Sequence, residues 1–281
     1  MDLITISKPA TRIIIQNTKG WSAIRFQEIW DYRELLFFLV LREIHGRYRQ
    51  TALGLSWLFI RPIVNVLVLT LAFGQVIKVP SDGMPYPLFS MTAMLPWSYF
   101  SAAVMRASGS LLENLNIISK VYFPRLLVPL ANTTSALIDF IASFVVLCMV
   151  MLLYKQPLRI EVFWIPIYLF IAYMFALAVG LWLATLSVKY RDVAFAVNFL
   201  LQALMYVSPV IYPVSMIPEH WQWLYNLNPM SGVIQGFRWS MLGSGAAPGV
   251  NFLISGVLVV ILLITGAYVF NRTERTIVDI L

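Results

Sequence analysis

Six apolar runs divide the chain, at about residues 53–77, 88–112, 130–154, 163–187, 195–212 and 250–270, and nearly all charged residues fall between them. A helix crosses about 30 Å of hydrocarbon with about 20 apolar residues, at about 1.5 Å each. The pattern predicts an all-α integral membrane protein with six transmembrane helices. The fifth run is the shortest and passes directly into YVSPVIYPVSMIPEHWQWLYNLNP (residues 206–229), where prolines and aromatic rings crowd together.

Three shorter segments have a different pattern. DYRELLFFLVLREIHGRYRQ (residues 31–50) has an apolar centre only seven residues long, about 10 Å as helix and too short to cross. Charge on both sides of that centre predicts an amphipathic helix lying in the membrane interface, or an N-terminal extension of the first span. ENLNIISKVYFPRLLVP (residues 113–129) has a Phe-Pro-Arg corner that ends a short helix, giving either an ordinary loop or a helix able to dock into a partner's groove. After the fifth run, 213–249 contains too many polar residues for another crossing. Proline removes a backbone donor, and irregular backbone at membrane depth survives only where protein or a water-filled cavity satisfies it, so a re-entrant hairpin is the economical reading. The chain divides into an extension over 1–30 and one transmembrane domain over 31–281.

Composition supports the membrane reading. Of 281 residues, 60% are hydrophobic and 12% charged, against about 25% charged in soluble domains. The net charge of +7 does not gather on one solvated face, as nucleic-acid binding would need. It follows topology instead. Lysine and arginine number eight before the first run, three from Arg106 to Arg125, two at Lys189 and Arg191, and two at Arg272 and Arg275. The alternate segments hold four, Lys78, Lys155, Arg159 and Arg238. Positive flanks stay in the cytosol, so both termini are expected there and 206–249 on the outer side.

Candidate chemistry is sparse. No Gly-Lys pair exists to build a phosphate-cradling P-loop, and no GxSxG elbow occurs. His45 and His220 are expected on opposite sides of the membrane, and Cys148 is the sole cysteine, so neither a metal site nor a disulfide is expected. Asn132 and Asn271 begin Asn-x-Thr matches, discounted as glycosylation sites because one lies in a span and the other on the cytosolic side. Arg61 and Asp139 are charges inside runs, and such charges are functional candidates. Arg61 lies near enough to the first span's cytosolic end to snorkel, while Asp139 is deeper and is expected to pair with another helix.

Several pieces together resemble one family. RYRQTALGLSWLFIRP (47–62), LPWSYF (95–100), NLNIISKVYFPRLLVPL (114–130), YRD (190–192), SPVIYP (208–213) and the later Asn228-Pro229 with Arg238 resemble, in order and spacing, permease subunits of bacterial ABC exporters for surface polysaccharides. The similarity covers about residues 31–281. It implies a homodimer in the bacterial inner membrane paired with two copies of a separate ATP-binding subunit, so that ATP and magnesium belong to the partner and no cofactor to this chain. It implies further that 113–129 is a coupling-helix region and that Asn116, Lys120, Tyr122, Phe123 and Arg125 lie in or beside the ATPase contact.

For the cargo, the resemblance points to a lipid-linked glycan such as O-antigen; teichoic acid, capsule or a smaller lipid or drug are alternatives within the same fold. A sugar offers an apolar face and a hydroxyl rim, which aromatic rings bind without selecting one linkage. A long chain needs weak, replaceable contacts to keep moving. Trp97, Tyr99, Phe100, Tyr206 and Tyr212 are therefore candidates for the substrate path, although interfacial Trp and Tyr also form the ordinary aromatic belt. A membrane-embedded glycan-modifying enzyme would need acidic residues or histidine clustered at one depth, and only Asp139 stands there. A passive scaffold or channel would need no cytosolic coupling element.

Overall fold

The computed structural model describes residues 26–49, 51–190, 192–245, 247 and 249–280, and all regular structure among them is helical. The extension expected over 1–30 lies outside the described residues up to 25. Two helices precede the first span, α1 (Phe26–Asp31) and α2 (Arg33–Tyr48), the latter inside the expected interface helix. Next come α3 (Trp57–Leu69), continued by a π-helical stretch over Thr70–Val76, then α4 (Tyr86–Glu113) and the four-residue α5 (Leu115–Ile118). The third span is built from α6 (Leu127–Ser135) and α7 (Leu137–Leu153), and the fourth from α8 (Ile165–Lys189). The remaining helices are α9 (Val193–Val207), α10 (Glu219–Leu227), α11 (Pro229–Leu242) and α12 (Val250–Ile280).

Among the described residues, five stretches are long and apolar enough to cross a membrane: Gly54–Val76, Tyr86–Glu113, Leu127–Leu153, Ile160–Lys189 and Phe252–Thr273. The fifth expected span, over 195–212, has its helix in α9, which has 15 residues and a length of about 22 Å, less than the hydrocarbon core. Its early end has a local cause. Pro209 disfavours helical backbone at the preceding residue, and Ser208 is accordingly extended, at φ −83° and ψ 151°. By contrast, α12 runs ten residues past the expected end at 270, because nothing in its sequence breaks it.

Helix α4 is the axis of the bundle. In its most apolar window 72% of residues are buried, against 17% for the first span and 22% for the last. Small residues make this possible. Ser90, Thr92, Ala93, Ala103, Ala107, Ser108 and Ser110 are all buried, and they let neighbouring backbones approach closely. The closest case is at Gly180 of α8, where a Cβ would collide with the Ala107 methyl.

Helix α11 is also buried, with Met230, Val233, Ile234, Phe237 and Met241 fully enclosed in the main core. Asn228 starts it by accepting from the Met230 amide at 3.1 Å, and Pro229 fills the first helical position, where no amide hydrogen is needed. Gly243 ends it in the left-handed conformation at φ 71°.

Candidate functional site

Two regions at opposite ends of α4 concentrate the residues singled out from the sequence. At its C-terminal end, Asn114 both closes α4 and opens α5; its Nδ2 donates to the Ser110 carbonyl at 2.8 Å and its Oδ1 accepts from Arg42 of α2. The short loop after α5 rests on an apolar cluster in which Leu39 of α2 meets Phe123, Leu127, Val128 and Ala131. This splits the predicted partner-contact set. Asn116, Lys120 and Tyr122 are exposed, Tyr122 at 76%, and Arg125 is half-buried. Phe123 is 5% exposed. It points into the chain's own cluster and anchors the loop, beneath the exposed members of the set. Its apolar ring gains more by meeting Leu39 and Leu127 than by standing beside Pro124 in solvent.

Asp139 of α7 ion-pairs with Arg106 of α4 and accepts from the Tyr48 hydroxyl of α2 at 2.6 Å. Arg106 also reaches Ser135 Oγ at 3.5 Å. Burial, reinforced by the hydrogen bond to Asp139, pushes the Tyr48 phenol up to about 12, so its proton stays available for donation at neutral pH. Sequence reading counts Arg106 among the charges that mark topology. A cation and an anion in consecutive spans were the available signal, but their relative depth was not. Arg61, the candidate charge of the first span, is exposed on α3 and makes no ion pair among the described residues.

At the other end of α4 lies the proline-broken segment after α9. Its carbonyls cannot join a helix, and side chains from elsewhere satisfy them. Arg238 of α11 donates to Val210 at 2.8 Å and Tyr212 at 3.4 Å, and the Tyr86 hydroxyl donates to Ile211 at 2.9 Å. The Tyr212 hydroxyl lies 2.9 Å from the Tyr206 carbonyl and 2.6 Å from the Tyr225 hydroxyl. Asn228 Nδ2 donates to Ser208 Oγ at 2.9 Å. Nearby, an apolar cavity of about 530 Å³ opens between the end of the first span, this segment and α10, lined among others by Phe73, Ile77, Ile211, Tyr212, Trp221 and Tyr225.

The five aromatic candidates for a substrate path do not come together. Trp97, Tyr99 and Phe100 are 3%, 1% and 1% exposed and belong to the core. Phe100 stacks on Phe175 at 4.8 Å, Trp97 lies 5.6 Å from Phe100, and Tyr99 meets Phe140 edge-on at 6.1 Å. These three hold α4 against its neighbours instead of facing an open path in the single chain. Tyr206 is 58% exposed and Tyr212 half-buried at the cavity wall.

The chain is a helical bundle with stretches of membrane-crossing length, and its described residues hold no group of three or more His, Cys, Asp or Glu able to bind a metal ion. Residues 34–242 match the ABC-2 type transporter membrane family, and the chain belongs to it. It is 30% identical over 215 residues to the O-antigen export system permease protein RfbA of Myxococcus xanthus, covering 75% of this chain and 82% of that one. It is 25% identical to the protein of the same name from Klebsiella pneumoniae, over 88% of this chain and 95% of the relative. The polysialic acid transport protein KpsM of Escherichia coli is 21% identical, over 84% and 92%. The chain is therefore a multi-pass transport permease, not an enzyme, and its family implies a separate ATPase partner.

Proposed function

We propose that this chain is the membrane subunit of an exporter that moves a lipid-linked polysaccharide of the O-antigen kind outward across the bacterial inner membrane. The observation that carries the reading is the similarity to O-antigen export permeases across most of both chains. In this reading two copies pair with two ATPase subunits, and ATP binding in the partners displaces the α5 loop. Asn116, Lys120, Tyr122 and Arg125 form the contact, with Phe123 beneath them. Both termini are cytosolic. α9 with the 208–213 segment completes a sixth crossing, while α10 and α11 form a re-entrant pair on the outer side. The buried α11 and the exposed Trp221 and Trp223 of α10 support that arrangement, since Trp favours the membrane interface. Tyr206 and Tyr212 remain as candidates for glycan contact.

Deleting the chain tests this. Lipid-linked glycan accumulates in the cytosol and surface glycan disappears, and both recover on re-expression. Normal surface glycan with no accumulation in the deletion strain refutes the reading. The similarity to a polysialic acid transport protein supports capsule-type glycan as the second cargo, distinguished by which surface polymer is lost. Teichoic acid export is separated by the same assay.

A further inference from the structure

The carboxylate of Asp139 joins three elements. It is paired with Arg106 of α4 and receives the hydroxyl of Tyr48 at the last residue of α2. A second, independent tie lies lower on the same two helices, where Arg42 of α2 reaches Asn114 at the root of the α5 loop. Along α2 the two ties are six residues apart, about 9 Å, and along α4 eight residues, about 12 Å. The two helices are thus clamped at two points, and two points stop α2 from pivoting where one would not. N-terminal to both ties, Leu39 seats α2 on Phe123 and Leu127, while Phe37 and Phe38 face outward, 65% and 62% exposed.

Stability alone is a poor account of this arrangement. Charges within a span are expensive, and an apolar pair of similar volume commonly holds two helices as well or better. What an ion pair with a hydrogen bond supplies is a directional link between particular atoms. We infer that Asp139 is a positioning residue of the transport cycle: through Tyr48 and Arg106 it makes α2, α4 and α7 move as one body when the α5 loop is displaced. The inference rests on the reading that an ATPase acts on that loop.

The test uses the full chain with Cys148→Ser, purified with its ATPase partner and reconstituted in vesicles with lipid-linked glycan. Tyr48→Phe removes one hydroxyl and leaves the ion pair. It is expected to keep assembly, thermal midpoint and ATP turnover, while glycan moved per ATP falls about tenfold. Asp139→Asn is expected to lose at least as much, and the exchange Arg106→Asp with Asp139→Arg to recover part of it. Unchanged glycan per ATP in Tyr48→Phe overturns the inference. So does a loss in Asp139→Asn that only follows a lower thermal midpoint and is not recovered by the exchange. A second measurement needs neither cargo nor ATPase. Spin labels at Arg49→Cys and Ile141→Cys, both exposed positions, are expected to give one narrow distance in the otherwise unaltered chain and a broadened one with Tyr48→Phe. Identical distributions overturn the tie. A wild-type complex that neither binds the ATPase nor moves glycan refutes the functional reading instead, and the label distances still judge the tie.

Discussion

The guanidinium of Arg238 lies 3.6 Å from the centroid of the Phe89 ring, with the arginine 4% exposed and the phenylalanine fully buried. A cation on a ring face is attracted by the ring's quadrupole, more strongly when water is excluded. The stacked guanidinium is thereby aimed at the carbonyls of Val210 and Tyr212, which the proline-rich segment leaves without backbone donors. Arg238 is thus the internal support of a segment that cannot support itself.

Arg238→Ala orphans both carbonyls, at about 1–3 kcal/mol each. The thermal midpoint of the purified protein should fall clearly. Arg238→Lys keeps the charge but not the planar fork, so it should recover only part of the loss. An alanine variant as stable as the parent would show that other donors replace the guanidinium.

Phe123 and Tyr122 are neighbours with opposite environments. Phe123→Ala empties a core position and should cost about 3–5 kcal/mol, read as a lower midpoint together with reduced recovery of the ATPase. Tyr122→Ala removes a side chain that is 76% exposed. It should leave stability within about 0.5 kcal/mol while weakening ATPase co-purification. Equal effects of the two substitutions on stability would contradict the split.

Gly180→Ala places a methyl where the Ala107 methyl of α4 already sits. Overpacking of this kind costs about 1–3 kcal/mol. Ala107→Gly should suppress the defect in the double variant, because the pair then exchanges one methyl. Absence of suppression in thermal unfolding would mean that the two helices are not in close contact there.

Orientation is read with single cysteines in a Cys148→Ser background. Tyr122→Cys should react with a membrane-impermeant maleimide only in inside-out vesicles, and Trp223→Cys only in right-side-out ones. Labelling of both from the same side would rule out the arrangement of the α5 loop and α10 on opposite faces.

Much of the architecture was legible in sequence. The all-helical class, the long apolar spans, a helix before the first span and a short helix after α4 each follow from local rules: apolar length and proline sterics. The candidate sites were less legible. Asp139 was visible as a charge needing a partner, but Arg106 had been read as a marker of topology. Trp97, Tyr99 and Phe100 carry the same ring chemistry as Tyr206 and Tyr212, so composition could not separate core rings from accessible ones. Phe123 was grouped with Asn116, Lys120, Tyr122 and Arg125, of which the first three are exposed.

The sequence by itself determined the apolar runs, the all-helical class and the uneven spread of lysine and arginine between alternate segments, because hydrocarbon thickness and the cost of charge act along one dimension. Tertiary structure alone decided that Asp139 meets Arg106 and Tyr48, that Arg238 holds the broken segment, and that three aromatic candidates are packing. Those outcomes depend on the relative rotation and depth of α2, α4, α7 and α11, which the small residues of α4 permit by letting its neighbours close in.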